Sequence, residues 1–295
     1  MAATADMADT AAFDIVARVA EEMQSDHFEL PGFPEAVLRI QRTLQSPDAS
    51  ADDVVRILSS EPALAAQALR IANSALLRRT DGEITDLRRA VTLMGFNMVR
   101  AVAAAFAIHQ LRLREGYSAA ARAEIETIWR DSVQVASVCA ILARHCTHVS
   151  ADEALLAGLL HVLGRLYIVM RAEGIGGAAD PSLRSASACH ALIGKAILAG
   201  WGLPAALQRA VERQDDVDYD EERVSPTHVL IAAKLLTAGD GAAAQAAASG
   251  TEPTDAAGVT CPAIRRIEAV RGKSPAAALE EHADEVRALR RSLSS

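Results

Sequence analysis

Aromatic residues are scarce in this sequence. Only 3% of its 295 residues are Phe, Trp or Tyr, although 51% of all residues are hydrophobic. A core formed by this chain must therefore be built from Leu, Val, Ile and Ala, and abundant alanine favours helices over sheets. Strand signals are nearly absent, whereas helical periodicity with capping residues recurs along the chain. The sequence predicts an all-α protein.

Local signals predict individual helices. FDIVARVAEEM, residues 13–23, is expected to form an amphipathic opening helix, and ADEALLAGLLHVLGRLYIVM, residues 151–170, a single buried helix. Ser50 is expected to cap the start of one helix, and Gly95 to cap the end of another.

Positive charge is also in short supply. The 30 Lys and Arg residues are outnumbered by 38 Asp and Glu residues, which leaves a formal net charge of −8. A dedicated DNA- or RNA-binding domain usually presents a basic face. The composition therefore argues against nucleic acid as a partner, although a local basic patch is compatible with it.

Cysteine pairs and long apolar runs are missing as well. No two of the four cysteines form a CxxC pair, and no continuous apolar run reaches the ~18 residues that a membrane span needs. The acidic N-terminus, MAATADMADTAAFD, lacks the apolar segment of a signal peptide. We therefore expect a cytoplasmic protein with reduced thiols and no membrane contact.

Helical segments separated by turn signals divide the chain into two bundles and a tail. Breaks such as LPGFP at 30–34 and the low-complexity run that begins AGDGAAAQAAASG mark the boundaries. The expected parts are an N-terminal helical bundle at 13–113, a second helical bundle at 119–237, a low-complexity linker at 238–260 and a looser C-terminal helical segment at 261–295.

Several separated motifs carry a resemblance to a known family. In the first bundle they are LPGFPEAVLRI, SPDASADDVVRILSSEPALAAQALRIANSA and ITDLRRAVTLMGFNMVRAV; in the second they are IWRDSVQVA, EALLAGLLHVLGRL and CHALIGKAILAGWGLP. Their order and spacing over residues 28–237 resemble the HDOD family, the HD-related output domain of bacterial signalling proteins. The resemblance implies two packed helical bundles related to the HD-domain phosphohydrolases, and a role in signal-linked regulation.

The same resemblance implies that the second bundle contains a degenerate metal site. HD hydrolases converge several His and Asp side chains on one or two metal ions, which activate a bound water. Three residues at matching positions could still act as ligands. Asp131 stands where relatives often carry His, His161 matches the motif histidine, and His190 matches a downstream histidine.

Other positions of that motif have lost their ligands. Val162 replaces the aspartate that follows the motif histidine, and Arg213 and Gln214 replace a downstream His pair. A valine cannot bind a metal ion, and an arginine would repel one. We therefore expect no metal, no other cofactor and no catalytic activity, with His161 and His190 kept as buried, hydrogen-bonded residues.

Two alternative interpretations of this cleft are open. It could bind an anion or a nucleotide without hydrolysing it. It could also belong to a divergent metal-dependent phosphohydrolase that acts on a nucleotide or cyclic dinucleotide, because three protein ligands and a water suffice for catalytic zinc.

Arginines are frequent in the first bundle and just after it. They would either line a basic edge that receives an acidic partner or a phosphate, or simply form a solvated helix face. The candidates for such an edge are Arg78, Arg79, Arg88, Arg89 and Arg100, followed by Arg112 and Arg114.

The run HCTH offers His145, Cys146 and His148 at a predicted helix end. A zinc site needs a second pair of ligands, and none is evident from the spacing. We therefore expect an exposed helix terminus, where histidine complements the negative end of the helix dipole.

These residues favour a non-catalytic regulatory protein of bacterial signal transduction. It would act by binding a signalling protein or a small, nucleotide-like ligand. A third hypothesis is an assembly scaffold, in which the C-terminal helix EEHADEVRALRRSL mediates homo-oligomerisation. The sequence identifies neither the upstream signal nor the partner.

Overall fold

The structure is a computed structural model that describes five ranges of the chain, residues 34–73, 83–113, 116–172, 189–249 and 261–294. These residues form helices joined by turns, and no strand occurs among them, so the predicted all-α class is confirmed. The predicted opening helix at 13–23 lies outside the described residues. The helices are α1 (Glu35–Gln45), α2 (Ala51–Ser59), α3 (Pro62–Ala72), α4 (Leu87–Leu113), α5 (Ala119–Cys146), α6 (Ala151–Leu160), α7 (Leu163–Ala172), α8 (His190–Gly200), α9 (Ala205–Glu212), α10 (Pro226–Ser249), α11 (Pro262–Arg271), α12 (Pro275–Glu281) and α13 (Ala283–Ser294).

The first helices follow directly from local sequence signals. Helix α1 buries Val37 and Ile40 on one face, as its periodicity predicts. Helix α2 begins with a capping box, in which the Asp53 amide donates to Ser50 Oγ over 3.2 Å and the Ser50 amide donates to Asp53 Oδ2 over 3.1 Å. Such an N-cap contributes about 1 kcal/mol.

Helix α4 bends sharply at Gly95. This glycine has φ +69° and ψ 167°, a conformation that residues with a Cβ rarely adopt. The predicted end of the helical segment at Gly95 is thus a kink between two helical halves. The second half is almost completely buried from Met98 to Ile108 and packs against α6.

Helix α5 is the central element of the second bundle. It packs against α6, α10, α12 and α13. The contact with α6 is close at Gly158, where an added Cβ would lie 2.4 Å from the Cα of Ala136. Only glycine permits this approach of the two backbones. The contact therefore sets the position of the end of α6, at Leu160, relative to α5.

The apolar stretch from residue 151 to 170 forms two helices where the sequence predicted one. The first ends at Leu160 and the second begins at Leu163, with His161 and Val162 in the turn. The His161 ring nitrogen Nδ1 lies 2.7 Å from the carbonyl oxygen of Gly158. A continuous helix would use this carbonyl for the amide of Val162, so the histidine side chain competes with helix continuation.

The C-terminal helices belong to the same packed structure. Helix α10 extends to Ser249, past residue 238 where the predicted linker begins. Helices α11 to α13 pack on α5 or α10, and Ile267, Leu289 and Leu293 join the main hydrophobic core. The segment that follows the predicted linker is therefore docked on the second bundle.

Among the described residues, two stretches are long and apolar enough to cross a membrane, judged by length and composition alone. They are Leu87–Gln110 and Ala151–Arg171, and 72% and 89% of their most apolar windows are buried inside the fold. Core helices of soluble proteins pass the same test, so these stretches are weak evidence for a membrane span.

Candidate functional site

A cleft of about 330 Å³ lies in the second bundle, where α5, α7, α8 and α10 meet the turns after α6 and α9. It brings together all three residues that the resemblance selected as candidate metal ligands. The lining side chains are chemically mixed, with histidines, acids, bases and amides. They include Asp131, Gln134, His161, Arg165, His190, Gln214, Asp215, Lys234 and Thr237.

His161 is held rigidly in the turn after α6. Its side chain is buried, with the residue only 4% exposed, and Nδ1 contacts the Gly158 carbonyl. The backbone carbonyl of His161 accepts a hydrogen bond of 3.1 Å from Gln214 Nε2. Burial, reinforced by the positive charge of Lys234, lowers the pKa of His161 to about 3. The imidazole is therefore neutral at physiological pH.

His190 reaches the cleft because two helices approach each other very closely. A Cβ on Gly164 of α7 would lie 1.8 Å from the carbonyl oxygen of His190, at the start of α8. Only glycine at this position allows α8 to begin here. The His190 ring then lies with Nε2 3.2 Å from Asp215 Oδ2.

Lys234 is a positive charge within the cleft. Its ammonium group donates to Gln214 Oε1 over 2.8 Å and to Asp215 Oδ1 over 2.5 Å. Burial lowers the pKa of Lys234, and the Asp215 carboxylate opposes that shift. The hydrogen bond from His190 and the Lys234 charge together hold the pKa of Asp215 well below its usual range. The Asp215 carboxylate is therefore ionised at physiological pH.

Arg165 supplies the second positive charge. One arm of its guanidinium group, Nη1, donates to Asp131 Oδ2 over 3.0 Å, and the other, Nη2, donates to Glu124 Oε1 over 3.0 Å. Arg165 of α7 thus contacts two positions on α5. Asp131, a candidate metal ligand by resemblance, is engaged by an arginine instead.

This set of side chains does not fit a metal ion. Asp131 is paired with Arg165, and Asp215 is paired with Lys234. Val162, which stands at the aspartate position of the hydrolase motif, is fully buried in the core. A metal ion entering the cleft would meet two fixed cations and would have to displace them from both carboxylates.

The cations of the cleft differ from the one that the sequence indicated. Arg213 is more than half exposed, pairs with Asp216 over 3.4 Å, and is not among the described residues that line the cleft. It caps the end of α9, and the turn there directs Gln214 inward. Arg165 and Lys234 were missed by sequence reasoning, although each is a single charge within an apolar helical run, LLHVLGRLYIVM and HVLIAAKLL.

The arginines of the first bundle do not form one continuous edge in the described part of the chain. Arg88 is exposed and pairs with Asp52 of α2, and Arg89 is exposed beside it. Arg100 is only 8% exposed and donates to the backbone carbonyl of Leu44. It lies beyond the Gly95 kink, on the half of α4 that the core surrounds. Arg78, Arg79 and Arg114 lie outside the described residues, as does the side chain of Arg112.

Solved structures with this fold come from several bacteria. One is described as "Putative metal-dependent phosphohydrolase from Shewanella amazonensis SB2B", with 22% identity, a TM-score of 0.68, and coverage of 96% of this chain and 99% of that chain. An HDOD domain protein with unknown function from Geobacter sulfurreducens has 21% identity and a TM-score of 0.58, over 94% and 96% of the two chains. A third, described as "Putative signal transduction protein from Marinobacter aquaeolei VT8", has 20% identity and a TM-score of 0.51, over 97% and 66%. At these identities the likeness shows the fold.

A curated relative extends well beyond this chain. It is an uncharacterized protein of Treponema pallidum (strain Nichols), 23% identical over 230 residues, which are 71% of this chain and 42% of the relative. The chain therefore spans about two fifths of that relative's length. The sequence profile of the HDOD domain matches residues 30–217, more than half of the chain and including the whole cleft except Lys234, Thr237 and Ala238. The chain belongs to the HDOD domain family.

Proposed function

We propose that this protein is a non-catalytic regulator in bacterial signal transduction, and that its cleft binds a small anionic ligand without hydrolysing it. The observation that carries this proposal is the Lys234 ammonium group, which lies in the cleft between Gln214 and Asp215. Membership of the HDOD family supports the signalling role.

The pairing of charges supports a non-catalytic role. An HD-type hydrolase uses carboxylates and imidazoles to hold the metal that activates water. Here the carboxylates of Asp131 and Asp215 neutralise Arg165 and Lys234, and His161 directs Nδ1 to a backbone carbonyl. Recruiting these carboxylates as metal ligands would leave Arg165 with only Glu124, and would leave Lys234 with only the neutral amide oxygen of Gln214. Taking the charged partner from a largely buried cation is costly.

The same charges favour an anionic ligand. Arg165 and Lys234 both line the cleft, and His190 adds an imidazole. Arginine and lysine together are well suited to phosphate, because one offers a planar fork and the other a mobile point charge. A phosphate group would share these donors with Asp131 and Asp215. A volume of about 330 Å³ fits a small ligand such as a nucleoside monophosphate.

Binding in this cleft would be able to change the packing of the helices. Arg165 joins α7 to α5, and Lys234 joins α10 to the turn after α9. A ligand that redistributes these pairs would favour one arrangement of the helices over another, which is the requirement for regulation by a ligand. The partner that senses this change would be a signalling protein in the cytoplasm.

The test is to measure binding and hydrolysis on the same preparations. Nucleoside monophosphates, cyclic dinucleotides and inorganic phosphate would be titrated calorimetrically into the 295-residue chain, with hydrolysis products separated by chromatography after incubation with Mn, Fe, Zn or Mg. We expect one of these anions to bind without turnover, and Lys234→Met to abolish that binding. Lys195→Met is the matched control, because Lys195 forms an ion pair with Glu212 outside the cleft.

Metal-dependent hydrolysis of a nucleotide or cyclic dinucleotide that is lost in His161→Ala would overturn the non-catalytic proposal and favour the divergent phosphohydrolase. Equal binding by the wild type and Lys234→Met would overturn the assignment of the cleft as an anion site.

A further inference from the structure

The C-terminal helices meet the end of α5 at a compact group of three side chains. His145 lies in the last turn of α5, His282 lies between α12 and α13, and Glu285 lies in the first turn of α13. One ligand atom from each residue lies within 4.8 Å of the other two. Sequence spacing showed no further ligands near the HCTH run. The C-terminal helices bring two candidates, His282 and Glu285, to His145.

The histidine of α5 contributes a buried nitrogen that points into this group. His145 Nε2 is buried and makes no hydrogen bond to any described residue. Glu285 Oε2 lies 3.5 Å from it, and the His145 and His282 rings are stacked with their centroids 3.6 Å apart. A buried polar atom without a hydrogen bond is costly, and a bound ligand would satisfy it.

The separations of the other atoms suit tetrahedral coordination. Two atoms that each lie about 2.0–2.2 Å from a tetrahedral metal ion are roughly 3.3–3.6 Å from each other. His282 Nδ1 lies 3.0 Å from Glu285 Oε1, and His145 Nε2 lies 3.5 Å from Glu285 Oε2. Small side-chain rotations would give both separations the required value.

A supporting carboxylate is also in place. The outer nitrogen of His282, Nε2, faces Glu281 Oε1 at 3.6 Å, and Glu281 is itself paired with Lys273 over 2.7 Å. Histidines that bind metal ions usually direct their second nitrogen to a carboxylate or a carbonyl, which fixes the ring. Glu281 and His282 have this relationship.

We propose that His145, His282 and Glu285 bind a divalent transition-metal ion of the zinc class and thereby fasten the C-terminal helices to the end of α5. Two imidazoles and a carboxylate are a ligand set that zinc and cobalt accept, with a water molecule as the fourth ligand. Binding requires the two rings to tilt out of their stack and Arg144, 3.3 Å from Glu285 Oε2, to share that carboxylate. His282 and Glu285 lie beyond the residues matched by the family, and neither of them lines the cleft.

The experiment uses the untagged 295-residue chain after treatment with a chelator. Zn²⁺ and Co²⁺ would be titrated against a chromophoric competitor, and the visible spectrum of the cobalt form recorded. We expect one equivalent of metal and the d–d absorption of a four-coordinate cobalt site with nitrogen and oxygen ligands. His145→Gln and His282→Gln should each weaken binding by more than the ~10–100-fold that the loss of an outer-shell partner causes, and Glu281→Gln should fall within that range.

Matched controls separate this site from other histidines. His148→Gln changes an exposed histidine of the same HCTH run, and His161→Gln changes the histidine of the cleft. Neither should alter the affinity. Circular dichroism of each metal-free variant verifies that it is folded, and Glu285→Gln provides a third ligand variant if one histidine variant unfolds.

Three results would overturn the proposal. The wild type could bind neither Zn²⁺ nor Co²⁺; binding could persist unchanged in both histidine variants; or the cobalt spectrum could show a thiolate charge-transfer band, which would replace this ligand set with one that includes a cysteine. None of these results bears on the anion-binding cleft.

Discussion

The Lys234 ammonium group lies 2.5 Å from Asp215 Oδ1, and the same carboxylate receives His190 on its other oxygen. This pair joins α10 to the turn after α9, and it places one positive and one negative charge in the cleft. Its asymmetry matters, because the Lys234 side chain is 23% exposed and that of Asp215 is 54% exposed. Water therefore stabilises the charge of Asp215 more than that of Lys234, and the charge of Lys234 needs its ion-pair partner more.

Asp215→Asn is expected to destabilise the protein by leaving Lys234 with a neutral partner. Loss of one member of a fully buried pair costs roughly 3–5 kcal/mol. Since this pair is partly solvated, we expect about 1–2 kcal/mol in the free energy of unfolding, measured with urea. Asp216→Asn, at the exposed pair with Arg213, is the control and should cost under about 0.5 kcal/mol. Equal effects of the two variants would contradict the importance of the cleft pair.

Arg165→Lys should weaken the tie between α7 and α5. A lysine ammonium is a single point charge and lacks the two separated arms with which the guanidinium reaches Asp131 and Glu124, so we expect one of the two charge-assisted bonds to be lost. The expected cost is about 1 kcal/mol in the free energy of unfolding. Arg209→Lys, at a single exposed pair with Glu221, is the control and should be nearly neutral. An Arg165→Lys variant as stable as this control would mean that the fork does not hold the helices.

The stability of the protein should decline in acid partly because of His161. Its pKa is about 3 in the folded protein and 6.5 in a solvated histidine. Between these values the unfolded state binds a proton that the folded state does not, so the free energy of unfolding falls as the pH is lowered from 6.5 toward 3. The limiting slope is about 1.4 kcal/mol per pH unit.

His161→Gln should remove this contribution, and the difference between the wild type and the variant can be followed by urea unfolding at pH 7, 6 and 5. His148→Gln, at an exposed histidine outside the cleft, is the control for the exchange of a histidine for glutamine. A wild-type and a His161→Gln curve that run parallel from pH 7 to 5 would show that His161 is not kept neutral by burial.

Gly164→Ala should displace the start of α8. The new methyl group would overlap the backbone of His190, with only 1.8 Å to its carbonyl oxygen, and no flexible side chain can move to relieve the contact. Overpacking of this kind costs about 1–3 kcal/mol or more. Anion binding should weaken at the same time, because His190 lines the cleft.

Gly95→Ala is the matched control for that variant. Gly95 has a positive φ but has no atom within 4 Å of an added Cβ, so alanine there meets only backbone strain of roughly 1–2 kcal/mol. It should lower the stability without changing the affinity of the cleft. Loss of binding in Gly95→Ala but not in Gly164→Ala would contradict the role of the α7–α8 contact.

The sequence predicted the location of the cleft better than its chemistry. The motif match selected Asp131, His161 and His190, and the structure brings all three into one cleft. The sequence could not show that Arg165 and Lys234 reach the same place, since a single charge in an apolar helix can equally point to solvent. Arg213 and Gln214 follow α9, and the geometry of the turn there decides which of them points into the cleft. The residue spacing does not predict that geometry.

For the helix boundaries too, features set by local sequence were predictable, whereas features set by contacts between distant residues were not. Ser50 caps the start of α2 as predicted, and Gly95, predicted to end a helix, lies at the kink between the two halves of α4. Both signals are local, because they depend on the conformation of one residue. The break at His161 was missed because its cause is a side-chain contact with the Gly158 carbonyl. The approach of His145 to His282 was missed because docking of the C-terminal helices depends on packing across the whole fold.

Helix α5 carries Asp131 of the cleft and His145 of the proposed metal site on one uninterrupted helix. The two residues are separated by about four turns, roughly 21 Å along the axis, and a spacing of two heptads places them on nearly the same stripe of its surface. The helix thus connects the two sites directly. A rotation of α5 about its axis that separates Asp131 from Arg165 would also move His145 relative to His282. Ligand binding in the cleft, if it rotates α5, would therefore change the contacts of the C-terminal helices.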